Sequence, residues 1–145
     1  MPTARVRKRR EILTGNIFVV EDEIDFIDIY RRIFETIGVE IQDYAQSGEE
    51  ALEKLAKSTT RPDLIIMDHH LPGITGIDAT VRILEIDPTA SVLFVSVDEQ
   101  VRRLALKSGA VDFISKPFPL DMFITSVTKY CKGSDGRVRT RKSRS

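Results

Sequence analysis

Three uninterrupted apolar runs limit what this chain can fold into: Ile17-Phe18-Val19-Val20, Leu64-Ile65-Ile66-Met67 and Val92-Leu93-Phe94-Val95. Each is too short for a buried helix and shows no polar alternation, the pattern of a strand covered on both faces. Segments of helical period separate them. Phe26, Ile27, Tyr30, Ile33, Phe34 and Ile37 recur at that spacing up to Gly38, a C-terminal signal. Residues 39–44 alternate as a half-buried strand does. Ser47-Gly48-Glu49-Glu50 then predicts a capping box, with Ser47 as N-cap and Glu50 at N3. The helix it opens carries Ala51, Leu52, Leu55 and Ala56 on one side. A helix from about Thr75 places Ile77, Val81 and Leu84 inward and is closed by Pro88. Val101, Leu104, Ala105 and Leu106 line a short helix ending at Gly109, residues 111–114 form a fifth strand, and Leu120, Phe123, Ile124, Val127 and Tyr130 mark a last helix.

Strands and helices in strict alternation imply right-handed crossovers and a parallel sheet with helices on both faces. The expected fold class is therefore α/β, a doubly wound five-stranded parallel sheet. The organisation predicted is a basic N-terminal extension over residues 1–15, one domain over 16–131 and a basic tail over 132–145. Residues 1–10 carry five basic side chains, and 132–145 carry six against Asp135, whereas 11–131 hold 11 basic and 21 acidic residues. An acidic body with basic ends is expected to meet nucleic acid, if at all, only non-specifically, since neither end has interleaved aromatics or a recognition-helix pattern. No apolar run approaches the roughly 20 residues of a membrane span, and no signal-peptide core follows the basic start. The single Cys131 fits a reducing compartment and a small hydrophobe in or near the core.

The strand ends carry the chemistry. The first ends on Glu21-Asp22, the third on Asp68, the fourth at Ser96 and the fifth just before Lys116. In a parallel sheet these ends share one edge, where open α/β sheets bind ligands. Alone, Asp68 is as readily a turn or cap residue; in company it is not. Carboxylates roughly 4 Å apart repel by about 4 kcal/mol per pair at an effective dielectric of about 20. A hard divalent cation such as Mg²⁺ offsets this, and Lys116 adds a flexible positive charge. An Asp held so can act as a nucleophile toward phosphorus.

Four ordered motifs, VVEDE at 19–23, LIIMDHHLPGITG at 64–76, VLFVS at 92–96 and GAVDFISKPF at 109–118, resemble the CheY-like receiver domain of two-component response regulators. The likeness covers roughly residues 16–131. It implies a flavodoxin-like sheet of order 2-1-3-4-5 in a cytoplasmic protein that is not a turnover enzyme but catalyses its own phosphorylation and dephosphorylation. By the same resemblance Asp68 is the phospho-acceptor and Asp22 a direct ligand of Mg²⁺, with Mn²⁺ an acceptable substitute. Glu21 acts through water and the His70 backbone carbonyl completes the metal site. Ser96 is the switch hydroxyl, Lys116 the phosphate-pairing lysine, Phe113 the switch aromatic and Pro117 the residue after a cis peptide. The implied partners are a sensor histidine kinase or phosphotransfer protein and a downstream protein on the face of the fourth helix, fifth strand and fifth helix.

Some features depart from the pattern. The stretch from Ser96 to Lys116 is about two residues short, which shortens the fourth helix or its loop. Val97 stands where a smaller residue is usual and is expected to narrow the pocket mouth, and His70 and Asp98 flank the phosphate and modulate water access. Glu23 is expected to be only a surface acid or helix cap. His69-His70 after Asp68 also spells the DHH of certain phosphoesterases, but the chain has two histidines and no further metal motif. A dehalogenase-type phosphatase needs a second Asp where His70 stands. The alternatives kept open are a receiver-like module that binds partners without phosphorylation and the N-terminal piece of a larger regulator with a DNA-binding output.

Overall fold

A computed structural model describes residues 15–131, so the two basic ends lie outside the described residues, apart from Gly15. In chain order the elements are β1 (Asn16–Val20), α1 (Ile24–Ile37), β2 (Glu40–Ala45), α2 (Gly48–Lys57), β3 (Leu64–Met67), α3 (Gly76–Ile86), β4 (Val92–Ser96), a 3₁₀ turn (Glu99–Val101), α4 (Arg102–Lys107), β5 (Asp112–Ser115) and α5 (Leu120–Tyr130). The sheet is parallel throughout, in the order β2-β1-β3-β4-β5. The doubly wound arrangement and its strand order are those expected. Among the described residues no helix is long and apolar enough to cross a membrane.

The continuous apolar strands divide their side chains between two cores by the two-residue period. Ile17, Val19, Leu64, Ile66, Leu93 and Val95 pack with Tyr30 and Phe34 of α1 and Phe123 and Val127 of α5. Phe18, Val20, Ile65, Met67, Val92 and Phe94 pack on the other side with Ala51, Ala79, Ile83 and Ala105. Cys131 is fully buried at the edge of the first core. Gly38 ends α1 in the left-handed conformation at φ 77°.

Several helical positions differ from expectation. The buried stripe of α3 is Gly76, Ala79, Thr80 and Ile83, and Val81 faces solvent. Gly76 sets that phase, because a Cβ there would lie 2.0 Å from the Asp68 carbonyl oxygen. The start of the helix is thus pressed on the β3 backbone by a residue with no side chain, and the small residues follow inward. Leu104, Leu106 and Leu120 are exposed, and so is Ala56. The capping box is half formed. Ser47 Oγ accepts from Glu50 N at 3.0 Å, but Glu50 Oε1 accepts from Gln46 N rather than from Ser47.

Candidate functional site

Hydrogen bonds running past the strand ends align the rim. Asp68 N donates to the Val20 carbonyl at 3.1 Å, Glu21 N to Ala45 at 3.0 Å, and Lys116 N to Ser96 at 2.9 Å. Each bond carries the parallel ladder one residue beyond a strand and holds the next side chain over the edge. Ser96 itself pairs with Ser115, so Lys116 emerges one step from it.

The side chains meet there. Lys116 Nζ lies 2.9 Å from Glu21 Oε1 and 3.5 Å from Asp68 Oδ2. Glu21, Asp68 and Ser96 are buried, while Asp22 is exposed. Burial pushes the Glu21 carboxyl above its usual range, and the Lys116 ammonium opposes that shift. Asp68 Oδ1 accepts from His69 N at 2.7 Å. Among the described residues, Glu21, Asp22 and Asp68 each bring a carboxylate oxygen within 4.8 Å of the others. Hard oxygen donors, few in number and open to water on the Asp22 side, suit a small divalent ion that keeps part of its hydration.

The remaining expected residues surround this centre. Ser96 Oγ accepts from Asp98 N at 3.2 Å, and His70 Nε2 lies 3.2 Å from Asp98 Oδ2 across the mouth. Val97 stands 66% exposed at the rim, away from the packed interior. Phe113 is buried and stacks on Phe94 with ring centroids 6.2 Å apart. The Lys116–Pro117 peptide is cis, as the resemblance implies. Glu23 occupies the N-cap of α1 without a side-chain cap bond.

Four contributors escaped the sequence reading. The Lys116 ammonium sits 4.0 Å from the centre of the Phe26 ring, which gives it an apolar floor and a cation–π contact. Phe26 matched the helical apolar period and passed for core. Gln46 Nε2 donates to the Asp22 carbonyl at 3.0 Å and ties the β2–α2 loop to the acidic edge. Gly76 lies against Asp68, as described. Arg102, at the start of α4, places its guanidinium 4.7 Å over the Phe113 ring and donates to the Phe113 carbonyl at 3.3 Å. Nothing in a one-dimensional pattern pairs an arginine with an aromatic eleven positions away.

Comparison with known proteins agrees with this geometry. The family described as response regulator receiver domain matches residues 17–128. Chemotaxis protein CheY of Thermotoga maritima is 33% identical over 118 residues, spanning 80% of this chain and 97% of that protein. A chain of the solved CheX–CheY–BeF3–Mg²⁺ complex from Borrelia burgdorferi superposes with a TM-score of 0.73 at 30% identity, covering 78% of this chain and 86% of that one. The response regulator TrrA of Thermotoga maritima, solved with Mg²⁺ and beryllium fluoride, gives 0.72 at 29% identity over 79% and 97%.

Proposed function

The chain belongs to the response regulator receiver domain family of two-component systems, and on that premise we propose that Asp68 accepts a phosphoryl group from a phosphohistidine of a sensor kinase or phosphotransfer protein. The observation that carries this reading is the seating of Asp68 between a buried Lys116 ammonium and the Glu21–Asp22 edge. A carboxylate oxygen of Asp68 forms the bond to phosphorus as the phosphorus–nitrogen bond breaks, leaving its electron pair on the imidazole. Lys116 meets negative charge gathering on the phosphoryl oxygens. The Ser96 hydroxyl turns from its Asp98 contact to donate to one of those oxygens, and Phe113 repacks with it.

Asp22 and Asp68 would hold Mg²⁺ directly, with Glu21 through water and the His70 carbonyl as a further ligand, and Mn²⁺ could substitute. Bound there, the ion supplies positive charge against the phosphoryl oxygens. The neighbours solved with Mg²⁺ and beryllium fluoride, a mimic of the phosphoryl group, favour this assignment. The chain so read works in the cytoplasm and catalyses only its own phosphorylation and hydrolysis. It signals through the α4–β5–α5 face, where Leu104, Leu106 and Met122 are exposed. The receiver unit spans residues 16–131, and any contact of the basic ends with nucleic acid would be non-specific.

Incubation with Mg²⁺ and a small acyl phosphate tests the reading by intact mass. Wild type is expected to gain one phosphoryl group and Asp68→Asn none; an adduct on both, or on neither, overturns it. Followed in time, the same labelling examines the rim. His70→Ala is expected to change the decay of the adduct and Val97→Ala to speed its formation, and unchanged rates would remove both residues from the modulating role.

A further inference from the structure

Lys116 brings the positive charge of the site, yet it is withdrawn from solvent, with 9% of its side chain exposed. An ammonium has three N–H groups to satisfy. It donates to Glu21 Oε1 at 2.9 Å and faces Asp68 Oδ2 at 3.5 Å. The Phe26 ring meets the same nitrogen from a third side, 4.0 Å from the ring centre. The other described lysine–ring contacts are looser, 5.5 Å for Lys54 on Tyr44 and 5.2 Å for Lys129 on Tyr130. Phe26 lies half-buried in the first turn of α1 and is itself braced. Its ring stands tilted against Tyr30 at 5.1 Å, Tyr30 stacks on Phe123 at 5.6 Å, and Phe123 on Phe118 at 4.5 Å. Phe118 is two residues from Lys116, so the row of rings begins under the ammonium and returns to the strand end that carries it.

We infer that Phe26 is a positioning residue, whose ring seats the Lys116 ammonium between Glu21 and Asp68 and so has the charge in place before a phosphoryl group arrives. The second half rests on the phosphoryl reading above. The carboxylates alone would not give this placement. Lys116 lies nearer Glu21 than Asp68, and the shorter bond draws it toward Glu21. Phosphoryl oxygens borne by Asp68 require the ammonium to move toward them. A ring face attracts a cation through its quadrupole and prescribes no single direction, so the ammonium can slide across it without returning to water. A leucine at this position would offer no such attraction, and the ammonium would then spend part of its time hydrated or on Glu21 alone. The contact is desolvated, which puts it at the strong end of the cation–π range.

The test has two arms on the full chain. In unmodified protein the ring current of Phe26 should move the Lys116 ε-methylene protons upfield, a signal assigned by its absence from Lys116→Met. The shift is expected to vanish in Phe26→Leu and to persist in Phe26→Tyr. The second arm titrates beryllium fluoride with Mg²⁺. Apparent affinity falls with the fraction of molecules whose ammonium is in place, and loss of a desolvated cation–π contact predicts a fall of about three- to tenfold in Phe26→Leu. Phe26→Tyr should bind as wild type does. Difluorophenylalanine at position 26 nearly keeps the shape of the ring but drains its face of electrons, and should fall between phenylalanine and leucine. A merely structural role would not separate it from phenylalanine. An unshifted Lys116 signal in wild type overturns the seat. A lost shift with unchanged or raised affinity in Phe26→Leu, or affinity indifferent to ring fluorination, overturns the positioning role. Beryllium fluoride bound by no variant, wild type included, overturns the phosphoryl reading and the second half with it, while a ring-current shift in the unmodified protein still upholds the seat.

Discussion

Gly76→Ala is expected to destabilise the protein by about 3 kcal/mol, the upper part of the range for overpacking a well-filled site. Helix propensity alone predicts the reverse, a gain approaching 1 kcal/mol for alanine inside a helix. Geometry decides between them. An added Cβ would stand 2.0 Å from the Asp68 carbonyl oxygen and 2.8 Å from both Asp68 C and His69 Cα. All three are backbone atoms, so no rotamer change relieves the clash. The Gly76 N–H also donates to the His69 carbonyl at 2.9 Å, which prevents the helix from simply backing away. Gly48→Ala provides the contrast. There the added Cβ would meet Ile74 Cγ1 at 2.6 Å and Cδ1 at 2.9 Å, a side chain that can turn aside, and the Ala79 Cβ at 3.2 Å, which must give by only a few tenths of an ångström, and a loss of about 1 kcal/mol is expected. Urea unfolding of the two variants distinguishes them, and equal midpoints would show that the β3 backbone yields to an added methyl as readily as the Ile74 side chain does. Because Gly76 bears on Asp68 itself, its alanine variant should also lose phosphoryl uptake.

The same contact explains what the sequence could and could not convey. The rim was legible because apolar runs stop abruptly on charged residues, and parallel strands put all such stops on one edge. Glu21, Asp68 and Lys116 are accordingly where the pattern places them. The phase of α3 was legible only in part. Ile77 and Leu84 are half-buried, with Ile77 packed on the second core, whereas Val81 is exposed, and the approach of Gly76 to β3 sets Ala79, Thr80 and Ile83 deepest. Large apolar residues on α4 misled in the same way. Leu104 and Leu106 look like core, yet Ala105 is the residue turned to Phe113's side of the sheet. Phe26 and Arg102 escaped because their roles depend on partners brought near by the fold, Lys116 for one and Phe113 for the other. Periodicity ranks residues by hydrophobicity and is blind to a cation seated on a ring.

Lys116→Met is expected to cost about 2 kcal/mol at neutral pH without divalent cations and to lower phosphoryl uptake by about 10²- to 10³-fold. Methionine keeps an apolar stem over the Phe26 ring, so the loss reports the charge rather than the packing. Breaking a buried ion pair can cost 3–5 kcal/mol, and here two carboxylates lose the cation between them. The cost is partly returned, because the Glu21 carboxyl can take up a proton and the variant no longer desolvates an ammonium. The pH dependence follows in sign. Glu21 already has its folded-state pKa raised by burial, and without Lys116 it rises further. A carboxyl raised on folding penalises the fold when ionised, so the penalty grows as pH climbs from the unfolded value through the folded one, and acidification removes it. The variant should therefore recover toward wild-type stability as pH falls, and also on adding Mg²⁺ at neutral pH, where the acidic edge gains another cation. Phosphoryl uptake should not recover with Mg²⁺, because on the proposed reading the ion is held at the Asp22–Asp68 edge and cannot stand where the ammonium stood. Thermal unfolding with chelator and with Mg²⁺, beside labelling under the same conditions, separates these two duties of one side chain. Wild-type labelling in the variant would refute the catalytic duty, and stability indifferent to both pH and Mg²⁺ would refute the electrostatic one.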